Sequence, residues 1–247
     1  MSAQPPPLVR QRMSGALLVA GAVIGLVGNA LHPHTANPDP AATVQTIAQN
    51  GAWVGVHLAV IVAILLIIGG LVGLAELLKD TVGGALAGLG LAAALLGGAV
   101  VTVSTAVDGF VGKALALSSV GAPAADAALA LRLSIAVNQV QFGIWSIGML
   151  VFFGAAFACF GIAVSASRRF PGWFGLVAVV GGSGSAVAAL LQIAATGAVQ
   201  AAETLFLASS VLLTLWTLAL GVLMWRGRAD VLADGPLLAN ATADYRP

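Results

Sequence analysis

The stretch from Trp53 to Leu78 reads WVGVHLAVIVAILLIIGGLVGLAELL. Its 26 residues hold one acid, Glu76, near the end and one histidine, His57, near the start. Coiled as an α-helix it is about 39 Å long, more than the roughly 30 Å hydrocarbon core of a bilayer. No soluble fold needs so long a run without charge, so the segment is read as a membrane span. Five more apolar runs of similar length follow the same pattern, at about 13–31, 83–107, 140–166, 172–196 and 204–225.

Composition agrees with the runs. The chain is 60% hydrophobic and only 8% charged, whereas a soluble domain carries about 25% charged residues. Its surface must therefore face lipid. The expected fold is an all-α polytopic bundle of six transmembrane helices. Residues 1–9, with Pro5-Pro6-Pro7, are expected as a disordered tail, 10–228 as the membrane domain and 229–247 as a second tail. Arg10 and Arg12 before an apolar run resemble a signal peptide, but the run is long for one and is read as the first span. A net charge of +1 gives no reason to expect nucleic acid.

Lysine and arginine orient the bundle. With the N-terminus inside, the inner side holds Arg10, Arg12, Lys79, Arg168, Arg169, Arg226, Arg228 and Arg246, against Lys113 and Arg132 outside. Both termini are thus expected in the cytoplasm, with the bilayer itself as the first partner.

Two connections carry more than turns. Between the first two spans lies LHPHTANPDP, Leu31 to Pro40. Pro33 cannot continue a helix, Asn37-Pro38 signals a turn, and Asp39 can cap a new helix with Pro40 at its first position. A short outer helix, PAATVQTIAQ, is expected there, with Val44, Ile47 and Ala48 on one face and Asn50-Gly51 ending it. This account explains every residue of the stretch except the choice of histidine at 32 and 34. Residues 108–139 break clearly only at Ser118–Pro123, so the third and fourth helices should project beyond the outer surface as a hairpin. A short helix lying in the interface is the alternative. Small-xxx-small spacing at Gly21/Gly25, Gly69/Gly73, Gly84/Gly88 and Gly184/Ala188 predicts close helix contacts within the bundle, with homo-oligomerisation as the other use.

Depth along the helices sorts the chemistry. At about 1.5 Å per residue, His32, His57 and Gln192 lie roughly 30 Å from the inner ends, and Asp108 and Gln141 roughly 37–40 Å. All five belong at the outer interface. Polar residues also share faces: Gly97, Ser104 and Asp108; Ser134, Asn138, Gln141 and Trp145; Ser185, Gln192 and Thr196; Glu203, Ser210, Thr214 and Thr217. Such stripes should face one another, because lipid cannot satisfy them. They mark either an outward-facing pocket for a small ligand or lipid, drawn from His57, Asp108, Asn138, Gln141, Gln192 and Glu203, or merely wetted helix ends.

His32, His57 and Asp108 sit at similar depth on three helices, and imidazole with carboxylate suits zinc. A haem would need His32 and His57 facing each other. GGSGS at Gly181–Ser185 contains a rhomboid-like G-x-S-G, yet Ser183 is roughly 12 Å from His57 along the membrane normal and its neighbours read as close packing. Nothing charged lies deep, which argues against a coupled pump. The lone Cys159 is read as a packing residue.

SASRRFPGWFGLVAVVGG, Ser165 to Gly182, ends one helix on two arginines and starts the next at Pro171 with Trp173 at the interface. Together with RQRMSGALLVAGAVIGL near the start, it resembles a family of small bacterial six-helix membrane proteins of unknown function, frequent in actinobacteria. The resemblance implies a six-helix fold in a bacterial cytoplasmic membrane and no particular activity. The reading that follows is a non-enzymatic binding or accessory protein without a cofactor. A zinc- or haem-dependent enzyme using His32 and His57, or a passive channel or transporter, are the alternatives.

The topology has a direct test. In intact cells a cysteine placed at Ser118 should react with a membrane-impermeant maleimide, and one at Arg168 should react only after permeabilisation. Labelling of position 168 from outside would reverse the orientation.

Overall fold

The computed structural model describes residues 7–32, 39–194 and 199–227. Among them there are seven helices and no strand: α1 (Pro7–Leu31), α2 (Pro40–Gln49), α3 (Trp53–Leu78), α4 (Gly84–Ser119), α5 (Ala124–Ala166), α6 (Gly172–Ala194) and α7 (Val199–Trp225). Six are long and apolar enough to cross a membrane, and α2 is the short helix after the first. The chain is therefore an integral membrane protein with a bilayer around its apolar faces.

Helix α1 begins at Pro7, inside the stretch expected as a tail. A proline fits the first helical position, where its missing N–H costs nothing. The remaining tail residues, His34 and Thr196 lie outside the described residues. Helix α2 matches expectation residue by residue: the Asp39 carboxylate accepts from the Ala41 N–H at 2.9 Å, Pro40 opens the helix, and Asn50 ends it. The α4–α5 hairpin is also present. Helix α4 has 36 residues and α5 has 43, or about 54 and 65 Å, so both overrun the hydrocarbon core. They turn at Gly121, whose φ of 70° suits a residue without Cβ.

The core runs the length of the bundle, from Leu78, Phe160 and Met224 through Phe152, Phe157 and Trp216. Glycines set how closely the helices approach. A Cβ on Gly15 would lie 2.5 Å from the Trp225 backbone N, and one on Gly70 2.4 Å from Leu18. The Gly21/Gly25, Gly69/Gly73 and Gly184/Ala188 motifs all pack inside the bundle, but Gly88 faces open space. Gly181 and Gly182 press on Leu213 and Ala158, so GGSGS is a packing surface. The first described turn of α1 and the residues after α7 lie together, with Gly227 against Leu8. Leu8 and Gly227 thus lie at the same end of the bundle. Exposed Trp173 and Trp225 ring that end, as interfacial anchors do.

Gly15→Val should force α1 from α7 and cost about 1–3 kcal/mol, lowering the unfolding temperature in detergent. Gly88→Ala should be neutral or slightly stabilising, since nothing lies within 4 Å and alanine is the better helix former.

Candidate functional site

The end of the bundle opposite Leu8 and Gly227 holds His32, His57 and Asp108. His32 stands one residue past α1, its N–H closing the last turn on the Asn29 carbonyl at 3.2 Å. Trp53 and His57 lie one turn apart at the start of α3 and are buried, 1% and 2% exposed. The His57 Nδ1–H donates to the Trp53 carbonyl at 2.7 Å. Its other nitrogen, Nε2, lies 3.2 Å from His32 Nε2 and 3.2 Å from Asp108 Oδ2. The three rings of His32, Trp53 and His57 pack with centroids 4.8–5.3 Å apart.

Asp108 reaches this cluster because α4 changes its winding. Residues Val107–Gly112 form a π-helical turn, in which positions i and i+5 stack instead of i and i+4. A Cβ on Gly109 would lie 2.6 Å from the Cβ of His57, so only glycine lets α4 come this close to α3. The Trp53 indole N–H donates to the Asp108 carbonyl at 3.1 Å and fixes the turn. Five residues on, Lys113 is brought to the same side. Its ammonium donates to the carbonyls of Ile47, Ala48 and Asn50 at 2.8–2.9 Å, capping the C-terminus of α2. A cation there satisfies orphan carbonyls and opposes the negative end of the helix dipole.

Beyond Asp108 a cavity of about 340 Å³ opens between α2, α4 and α5. Thr43, Asp108, Ser134, Asn138, Gln139 and Gln141 supply its polar wall, and Asp108 carries the only charge among the described lining residues. Gln141 is steered by its amide, which donates to Ser104 Oγ at 3.3 Å.

The sequence-derived site therefore divides. Asp108, Asn138 and Gln141 line one cavity, and His32, His57 and Asp108 form a cluster whose donor atoms lie within 4.8 Å of one another. His57 does not line the cavity; it sits behind Asp108. Gln192 is also elsewhere, buried and accepting from Ser146 Oγ at 3.0 Å. Glu203 is exposed on α7. Equal depth does not imply equal position around the bundle. The hydroxyl stripes have a local explanation as well. Thr105, Ser134, Ser146, Thr214 and Thr217 each donate to the carbonyl four residues earlier in their own helix. Such back-bonding satisfies them without a shared pocket. Trp53, Gly109 and Lys113 escape the sequence reading. The four-residue spacing of Trp53 and His57 was a readable signal, but a π turn leaves none in a 3.6-residue pattern.

Fold and site together define a polytopic α-helical membrane protein with a histidine–histidine–carboxylate cluster beside a polar cavity at one end. The chain belongs to the family described as "Domain of unknown function (DUF4386)", which matches residues 13–227 and so reaches all six spans. Comparison with curated proteins and with solved structures finds no match.

Replacing Lys113 by methionine should release the last turn of α2. Loss of charge-assisted bonds of about 1.5–3 kcal/mol predicts amide exchange in α2 faster by roughly tenfold to a hundredfold, with the spans unchanged. Unchanged protection of α2 would show that the cap is not what holds it.

Proposed function

We propose that this protein is a non-enzymatic binding protein of a bacterial cytoplasmic membrane, with its cavity open to the outer face and both termini in the cytoplasm. The observation that carries the reading is the cavity between α2, α4 and α5. At about 340 Å³ it falls in the size range of small-molecule sites, and carboxamides, hydroxyls and one carboxylate converge on apolar walls from Val44, Ile47 and Ile135. The eight-to-two lysine and arginine asymmetry supports an outward opening.

The ligand this lining favours is small and hydrogen-bonding, with an apolar side. Asn138 and Gln141 offer both donors and acceptors, and Asp108 offers acceptors. A haem fits poorly. The Trp53 ring lies 5.3 Å from that of His32 and 4.8 Å from that of His57, leaving no gap for a macrocycle between the imidazoles. Ion-coupled transport is disfavoured too, because no charged residue lies near the middle of the spans.

The test is thermal unfolding of the protein in lipid nanodiscs with a panel of probes: free amino acids, their amides, and short polyols. A ligand at a hundred times its dissociation constant stabilises by about 2.7 kcal/mol, a readable shift. At least one class should raise the unfolding temperature. Asn138→Leu or Gln141→Leu should abolish that shift, and Glu203→Gln, away from the cavity, should keep it. A shift that survives Asn138→Leu, or no shift with any class, would reject the cavity as the binding site.

A further inference from the structure

We infer that His32, His57 and Asp108 bind one divalent first-row transition-metal ion, with zinc the ion their chemistry suits best. The tautomer of His57 is fixed by its backbone contact. A carbonyl oxygen can only accept, so the 2.7 Å contact with Trp53 places a proton on Nδ1. In the neutral ring Nε2 is then a bare lone pair. That lone pair faces a carboxylate oxygen at 3.2 Å, which is also an acceptor, and the Nε2 of His32 at 3.2 Å. With His32 Nε2 also unprotonated, three acceptor atoms converge on one point, and a cation there satisfies them together.

The spacing fits coordination. Zinc–nitrogen and zinc–oxygen bonds of about 2.0–2.2 Å put neighbouring ligand atoms of a tetrahedron about 3.3–3.6 Å apart. Two of the three edges are already 3.2 Å. The whole set spans no more than 4.8 Å, so closing the third edge takes at most about 1.5 Å of movement. Asp108, with 31% of its side chain exposed, can supply that by rotation. The surroundings also match a metal site. A ligating imidazole normally donates its other N–H to a carbonyl or carboxylate, which sets ring orientation and raises basicity. His57 does this to Trp53, and the Trp53 indole in turn holds the Asp108 backbone.

Donor type selects the ion. Two imidazoles and one carboxylate without a thiolate favour zinc, and also admit iron, cobalt and copper, over calcium or magnesium, which prefer all-oxygen cages. Three protein ligands leave at least one coordination position for water or an exogenous donor. The competing occupant is a proton on His57 Nε2, making an imidazolium–carboxylate pair with Asp108. A proton on His32 Nε2, donating to His57, is the other arrangement; a single proton on either ring satisfies one of the two 3.2 Å contacts and leaves the other without a donor, whereas an ion satisfies both.

The inference stands apart from the cavity reading, because its readout is the metal itself. The full chain is purified without a histidine tag, stripped with chelator and titrated with zinc and cobalt. One zinc per chain by elemental analysis is expected, and cobalt should give visible bands of a low-symmetry site. His57→Ala and Asp108→Asn should each weaken binding tenfold or more. His32→Ala, just past the end of α1, should do the same with helix content and gel-filtration profile intact, which guards against simple misfolding. Failure of the folded wild-type chain to bind either ion would overturn the inference and leave an ion pair. So would stoichiometric binding that survives all three substitutions.

Discussion

A polar atom inside hydrocarbon has only the protein to bond to, and most of this structure follows from that shortage. Backbone groups are satisfied within helices, which is why every long element is a helix. Several hydroxyls are satisfied within the same helices: Thr217 bonds to Leu213 and Thr105 to Val101, each one turn back. Where a side chain cannot bond to its own helix, it finds a neighbour at short range, as the Gln192 amide does with Ser146 and the Trp216 indole with the Phe174 carbonyl. The histidines and charged residues of the spans lie toward their ends. The cluster of His32, His57 and Asp108 lies at the end where α2 and the long hairpin rise clear of the spans.

The π turn in α4 is the device that turns an end into a site. An α-helical register would set Asp108 and Lys113 well apart around the axis. The wider turn stacks them, so one short segment supplies the carboxylate beside His57 and the ammonium that caps α2. Gly109 sits between the two and gives α3 room. This local departure from regular winding links three elements: α2, the start of α3 and the upper part of α4. A second π segment, Met149–Ala156, lies in α5 where Phe152 packs against Gly97. There it serves packing, so a π turn alone does not mark a site.

Much of this was legible in the sequence, for identifiable reasons. Span length, composition and the proline, asparagine and aspartate signals around α2 are local properties, and the structure keeps them. Depth arithmetic put His32 and His57 at one level and Asp108 roughly 7–10 Å higher, an estimate that works because membrane helices are long and nearly parallel. Depth is one coordinate of three. Gln192 shares the level of His57 yet bonds to Ser146, and Glu203 faces outward from α7, because angle around the bundle depends on packing that periodicity does not specify. Lys113 was visible only as a charge on the outer side. Its role as a cap depends on an inserted π turn that a 3.6-residue rule averages away.

The distance between the two histidines is set well below them. Gly21, Gly25 and Gly28 succeed one another at spacings of four and three along α1, and His32 continues the same stripe. Opposite them on α3 are Ile67, Ala63 and Val60, with His57 next in line. A Cβ on Gly21 would lie 2.8 Å from Ile67, and one on Gly28 would lie 3.3 Å from Val60. Each glycine therefore lets α1 lie closer to α3 than a larger residue would, and the gap at the last turn inherits that closeness. A bulkier residue at Gly28 would wedge the helices one turn short of His32 and open the 3.2 Å nitrogen–nitrogen separation without touching either ring. The small-residue motif, which by itself indicates only helix packing, here places one imidazole against another.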